Sequence, residues 1–439
     1  MKKSLLAGAA GLALMLCAGV ALLPGGVQEA AAQAVPTAPH DSKAGTPATA
    51  SAAPQSDAVK RGQYLATAGD CIACHTAPEG KPFAGGYALA TPFGKLLASN
   101  ITSDQRTGIG SWTEAEFSRA VRQGKGKHGE HLYPAMPYTA YVKISDADMS
   151  DLWAYMKTVA PVDNKVVSNQ LPFPFNIRFL MFGWNMLFFN DTPFKADPKQ
   201  SVEWNRGAYL VDGLEHCAAC HTPKNFLGGD QGGKSMHGGP LAGWYAPEVT
   251  GNTYVGVGNW SVDQLTQYLK TGGNDISMAA GPMAEAVSNS TQHLTDADLR
   301  AMAVYLKSLP GSAATKPAVL ASSDPAMVLG KHLYDVNCAA CHRSSGTGVG
   351  SMVPSLANSP SLQAPDVASL ARTVLEGNRG AVTETLPTGA AMPSFDWKLS
   401  DAQIAAVLTY ARNSWGNAAA KVDAAQIKGA RDAIKVAQH

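Results

Sequence analysis

The sequence predicts an all-α protein made of three small helical units in series. Three observations predict it. The pentapeptide Cys-x-x-Cys-His occurs three times, at 71–75, 217–221 and 338–342. Each copy is followed by a Met beside a Pro, and each Met by a helix start of one kind. The units span roughly 58–162, 203–310 and 326–417, and each is short for a self-sufficient apolar core.

Two thiols one helical turn apart can add across the vinyl groups of a haem while the adjacent imidazole reaches the iron from one face. A redox disulfide or half of a zinc site are the alternatives. Zinc would need four closed ligands, and no second Cys/His pair accompanies each motif. The motifs therefore predict three covalently bound haem c groups, on Cys71 and Cys74, Cys217 and Cys220, and Cys338 and Cys341, with His75, His221 and His342 as axial ligands. Haem supplies much of the apolar interior that such short units lack, giving three tandem cytochrome c-like domains.

The elements follow in order. Lys2 and Lys3 precede an apolar stretch from Leu5 to Leu23, and Ala32-Gln33-Ala34 offers a small-residue cleavage site, so 1–34 reads as a secretory signal that removes Cys17. A retained anchor is the alternative, since the apolar stretch approaches spanning length. Residues 35–57, rich in Ala, Pro, Ser and Thr, form a flexible linker. A short helix precedes each motif, carrying Tyr64 and Leu65, Tyr209 and Leu210, or Leu333 and Tyr334.

Gly108-Ile109-Gly110-Ser111-Trp112-Thr113 matches Gly256-Val257-Gly258-Asn259-Trp260-Ser261, and Thr113 with Glu116, like Ser261 with Gln264, forms a capping box. The Gly-x-Gly is loop punctuation, because no hydrophobic strand feeds it and no third Gly opens the helix. Closing helices start at Ser145, Thr295 and Ser400, whose hydroxyls are good N-caps. Each carries a Tyr ten positions on (Tyr155, Tyr305, Tyr410), with Leu152, Met156, Leu299, Met302, Leu306, Ile404, Val407 and Leu408 at helical spacing.

Residues 163–202 form a linker with an apolar segment, Phe173 to Phe189. Its most apolar part, the thirteen residues from Ile177 to Phe189, is too short to span a bilayer, which needs about 20, so the segment suits a helix in the membrane interface or one packed between units or on a partner. Residues 311–325 are a second linker, and 418–439 a polar, Ala-rich tail.

Opposite each His, the soft thioether of Met is the common sixth ligand. Met136, in Tyr133-Pro134-Ala135-Met136-Pro137-Tyr138, and Met392, in Ala391-Met392-Pro393, are the candidates of units one and three. Met278 and Met283 are both available in unit two. Met283 is preferred, since it lies 62 residues past His221 as Met136 lies 61 past His75. His128, His131, His216, His237, His293 and His332 read as surface or hydrogen-bonding residues. Six-coordinate iron serves electron transfer.

Removal of the signal takes Lys2, Lys3 and Glu29, leaving 33 basic and 33 acidic residues from 35 and 34. Neutrality with 16% charged residues speaks against nucleic acid as a partner. No dinucleotide fingerprint, nucleophile elbow or His/Glu metal constellation is present, so the sequence shows no substrate-oxidising site.

From Lys60 to Asn417 the chain resembles the triple-haem cytochrome c subunits of the membrane-bound periplasmic dehydrogenases of acetic acid bacteria and related proteobacteria. The resemblance rests on Asn100-Ile101-Thr102, Tyr133 to Tyr138, Gly281-Pro282-Met283-Ala284-Glu285 and Ser414-Trp415-Gly416-Asn417. It implies that His75, His221 and His342 pair with Met136, Met283 and Met392. It also implies a separate catalytic subunit (quinoprotein, flavoprotein or molybdopterin) that oxidises an alcohol, sugar, sugar acid or aldehyde and passes electrons through the haems to ubiquinone, at the periplasmic face of the inner membrane. Some flavin-linked relatives end in a transmembrane helix, so the polar tail tilts the expectation towards the alcohol or aldehyde enzymes. A free-standing multihaem shuttle to a terminal oxidase or reductase is the alternative.

Overall fold

The computed structural model describes residues 56–167, 169–350 and 352–437. The signal 1–34 and all but the end of the linker 35–57 lie outside them. Helix dominates, but the all-α expectation needs correction by three two-stranded antiparallel ribbons. These pair Ala88–Thr91 with Gly94–Leu97, Gly239–Leu241 with Trp244–Ala246, and Asn378–Arg379 with Ala391–Met392. Strands this short show no alternating pattern by which a sequence could announce them.

Each unit is built on one crossing. The leading helices are Asp57–Ala68, Val202–Tyr209, which continues through a π turn at Leu210–Leu214, and Pro325–Asn337. They pack on the closing helices Asp146–Met156, Asp296–Ser308 and Asp401–Ala411. At the crossing stands a glycine: a Cβ on Gly62, Gly207 or Gly330 would lie 1.9, 2.0 or 2.1 Å from the carbonyl oxygen of Asp151, Ala301 or Ala406. The Cβ atoms of Tyr155, Tyr305 and Tyr410 abut the same points. The caps hold as the sequence predicts, for Ser145, Thr295 and Ser400 accept from the amides of Asp148, Asp298 and Gln403, and capping boxes open Glu114–Gln123 and Val262–Thr271.

Two residues past each tyrosine lies a cation tied to backbone carbonyls of its own unit. Lys157 Nζ donates to Gly110 (3.2 Å), Lys307 Nζ to Gly258 (2.9 Å) and Trp260, and the Arg412 guanidinium to Leu362 and Ala364 (2.7 and 3.0 Å). Burial lowers the pKa of Lys307 and Arg412, and the carbonyls offset that desolvation.

Units one and two share a single apolar core, from Leu65 to Leu306. A reciprocal lock joins them. Tyr64 Oη donates to Asp298 (2.6 Å) and accepts from the Thr295 amide (3.2 Å), while Tyr209 Oη donates to Asp148 and accepts from the Ser145 amide (3.1 Å). The leading helix of each unit thus reads the helix cap of the other.

Unit three has its own core, and here the tail departs from expectation. Residues Ala424–Ala437 form a helix that buries Ile427 and Ile434, with Val422 beside them, and Arg431 pairs with Asp396 and Asp401. The 311–325 linker is likewise pinned. Asn252 Nδ2 donates to the carbonyls of Ser312 and Ala314 (3.0 and 3.2 Å), and the Leu320 amide donates to Asn413 (3.2 Å).

Removing one hydroxyl of the lock, by Tyr64→Phe or Tyr209→Phe, should cost about 1–3 kcal/mol in thermal or denaturant unfolding of the holoprotein, as loss of a bond to a charged group does. Burial first, and the carboxylate partner second, push both hydroxyls up from 10.0 to about 12. A raised folded-state value favours the protonated form, so the lock is fully stabilising below about pH 10 and lost as pH rises through about 12. The double Phe variant should lose that alkaline stability change, and its persistence would refute the assignment.

Candidate haem-binding sites

Each leading helix delivers the chain directly into a Cys-x-x-Cys-His turn: Cys71–His75, and the turns containing Ala218–His221 and Ala339–His342. In units one and two the junction residue, Asp70 (φ 45°) or His216 (φ 41°), is left-handed, a conformation that reverses the helix direction at some steric cost. None of the six motif cysteines is paired in a disulfide. Within each turn the two lie three residues apart, on one side of the helix, as two bonds to one planar group require.

Backbone carbonyls hold the histidines. His75 Nδ1 lies 2.7 Å from Ser99 O and His221 Nδ1 lies 2.7 Å from Pro247 O. A carbonyl can only accept, so Nδ1 carries the proton and Nε2 keeps its lone pair free for a metal. Burial lowers the pKa of both imidazoles and keeps them neutral. At His342 burial again lowers the pKa against the Pro354 carbonyl, although Nδ1 there makes no bond within hydrogen-bond geometry.

These residues fit a covalently attached haem. Burial and then Asp70 push the Cys71 and Cys74 thiols up to about 12, and burial and then Cys341 push Cys338 up to about 11. Immediately before the first cysteine of every unit stands a buried polar atom without a protein partner: Asp70 Oδ1, His216 Nδ1 and Asn337 Oδ1. When bound, haem would supply one reversible electron site per unit.

The methionines sit half-buried against the cores. Met136 lies on the Tyr133–Tyr138 loop and Met283 near the start of the helix Pro282–Asn289, after Gly281 at φ 50°. Met392 lies in a ribbon strand opposite Asn378. Met278 faces elsewhere: a Cβ on Gly380 of unit three would lie 2.8 Å from its Sδ.

Sites one and two adjoin. Ser290 Oγ, just past the Met283 helix, donates to Ala68 O (3.1 Å), and the half-buried His216 ring, expected on the surface or in a hydrogen bond, lies tilted against Tyr141 with centroids 5.5 Å apart. Acidic groups gather there. Burial and then Glu285 hold Asp70 up at about 8, and burial followed by Asp70 raises Glu215 well above the carboxylate range. The junction residues and the paired units were not readable from the sequence, whereas the repeated Arg61-Gly62 and Arg206-Gly207 ahead of the motifs were a usable signal.

The repeated turns and crossings define a c-type cytochrome, and the comparison agrees. The cytochrome c family model matches residues 59–160, 205–310 and 327–415, so the chain belongs to that family. It is 40% identical to the gluconate 2-dehydrogenase cytochrome c subunit of Pantoea cypripedii over 87% of this chain and 91% of that one. It is 40% identical to the cytochrome c subunit of the quinone alcohol dehydrogenase of Gluconacetobacter polyoxogenes (85% and 84%) and 38% identical to the fructose dehydrogenase cytochrome subunit of Gluconobacter japonicus (85% and 82%).

Proposed function

We propose that this chain is the electron-transfer subunit of a membrane-bound dehydrogenase, carrying electrons from a separate catalytic subunit through three c-type haems to ubiquinone on the periplasmic side of the inner membrane. The observation that carries the reading is the threefold Cys-x-x-Cys-His turn, two copies with an imidazole fixed by a backbone carbonyl, in a chain whose relatives are dehydrogenase cytochrome subunits. Thioether bonds would join haem vinyl carbons to the sulfurs of Cys71 and Cys74, Cys217 and Cys220, and Cys338 and Cys341, each thiol adding its S and H across one vinyl group. His75, His221 and His342 would ligate the irons together with Met136, Met283 and Met392.

The segment 173–189 supports membrane attachment. It contains the helix Leu180–Phe188, and no helix among the described residues is long and apolar enough to cross a membrane. Its polar groups face inward: Arg178 donates to His131 O (2.9 Å), Tyr138 Oη to Asn185 Oδ1 (2.7 Å) and Trp184 Nε1 to Leu227 O (2.9 Å). Phe179, Met186 and Leu187 remain at least 70% exposed, as does Phe226 on the adjoining loop. An apolar patch of this kind marks an interaction site, and its aromatic and Met content suits lipid. It also argues against a freely diffusing shuttle.

Pyridine haemochrome absorbance should give three haems per chain; two would mean an unoccupied motif. Met283→Leu should remove the far-red sulfur-to-iron band of one haem while Met278→Leu leaves it, and the reverse result would overturn the assignment.

Replacing Phe179, Met186, Leu187 and Phe226 together by Ser should move the assembled complex from the membrane to the soluble fraction. Haem content and turnover with ferricyanide should persist, and ubiquinone reduction should fall more steeply. Retention on the membrane with loss of the catalytic subunit would make the patch a subunit interface instead.

A further inference from the structure

The seam between units two and three holds one aromatic side chain that touches the surroundings of both candidate sites. Trp244, in the strand Trp244–Ala246, stands three residues before Pro247, whose carbonyl fixes His221. Its ring lies against the turn that carries Met283, since a Cβ on Gly281 would come within 2.6 Å of it. The strand therefore wraps the second site from its His side to its Met side.

From unit three, the Arg372 guanidinium covers the same ring, with Cζ 4.9 Å from the centroid, and its Nη1 reaches Ala242 O at 3.5 Å. The Arg372 side chain is only 7% exposed and pairs with Glu376, which keeps it in place. Its helix, Ala368–Glu376, runs into Gly377 and Asn378, which abut Met392. A second tie aligns the elements: the Tyr245 amide donates to Ser369 Oγ (2.8 Å), which donates back to Tyr245 O (3.0 Å).

We infer that Trp244 and Arg372 are positioning residues for electron exchange between the second and third haems, an inference that rests on the three-haem reading above. One ferrous site loses an electron as the other, ferric site gains it, and no proton moves. Tunnelling falls steeply across gaps and less across packed atoms, so an indole filling the seam raises the coupling. No charge resides on the ring, because a guanidinium over its face disfavours a ring cation. Arg372 fixes the ring orientation through stacking and the Ala242 bond, a role its planar fork suits.

The test is pulse reduction of half-reduced, full-length holoprotein, followed by redistribution of electrons among the haems at their α-bands. Trp244→Leu and Arg372→Met should slow redistribution across this seam severalfold or more. Trp244→Phe should recover part of the rate. Haem content, the midpoint potentials of the Trp244 variants and protease resistance of the 311–325 linker should stay at wild-type values.

Wild-type redistribution in Trp244→Leu would overturn the proposal. So would slowing that comes only with shifted potentials or a cleaved linker, which would make the pair seam packing. If Trp244→Leu does not accumulate, wild-type rates in both Trp244→Phe and Arg372→Met overturn it equally. Absence of redistribution in the wild-type protein would sink the three-haem reading itself, and this inference with it.

Discussion

At Gly62, Gly207 and Gly330 the leading helix lies so close on the closing helix that an added Cβ would stand within 2.1 Å of a carbonyl oxygen. Only a residue without Cβ permits this approach, and the backbone oxygen it meets cannot swing aside as a side chain could. The rest of each unit hangs on that contact. It sets the end of the leading helix and with it the start of the Cys-x-x-Cys-His turn. It also sets the closing helix, whose next residues place Lys157, Lys307 or Arg412 among carbonyls of the middle loops. Filling any one crossing would displace a cysteine pair and a carbonyl-bound cation together.

Local features of this plan were legible in the sequence. Ser145, Thr295 and Ser400 cap because the hydroxyl and the amide three residues on belong to one turn, and the motifs are read within five residues. The Tyr64–Asp298 and Tyr209–Asp148 bonds were not legible, since they join residues 234 and 61 positions apart and depend on how two finished units meet. The tail was misread because its apolar stripe is sparse. Val422, Ile427 and Ile434 are widely spaced among Ala and charged residues, and only the third core shows what they bury against. Met278 lies against Gly380 of unit three, a neighbour that the spacing of the motifs could not announce.

The internal repeat explains why the units are arranged as two plus one. Two residues past the crossing glycine stand Tyr64 and Tyr209, but in unit three His332; three past the helix cap stand Asp148 and Asp298, but in unit three Gln403. Gln403 turns its carbonyl oxygen back to accept from the Ser400 amide (2.9 Å), so that oxygen serves its own helix instead of a neighbour's tyrosine. Unit three thus has neither half of the lock. It joins unit two by other means: the pinned linker, the Tyr245–Ser369 bonds and Arg372 over Trp244. One seam is a large shared apolar core; the other combines a small apolar cluster, Ala381 against Ala279, Ala284 and Val287, with discrete polar and aromatic ties.

The apolar segment depends on the same framework. A helix of nine residues such as Leu180–Phe188 is not stable alone in water. What fixes it is the inward direction of its polar groups, with Asn185 on Tyr138, Trp184 on the Leu227 carbonyl and Arg178 stacked 5.0 Å from the Tyr133 ring. Two of those anchors belong to the loop that carries Met136 and the third to unit two, so the fused pair, and neither unit by itself, supplies the platform. Inverting the usual surface rule, with polar tips in and Phe179, Met186 and Leu187 out, exposes apolar area to water at a free-energy cost that burial against another surface would recover.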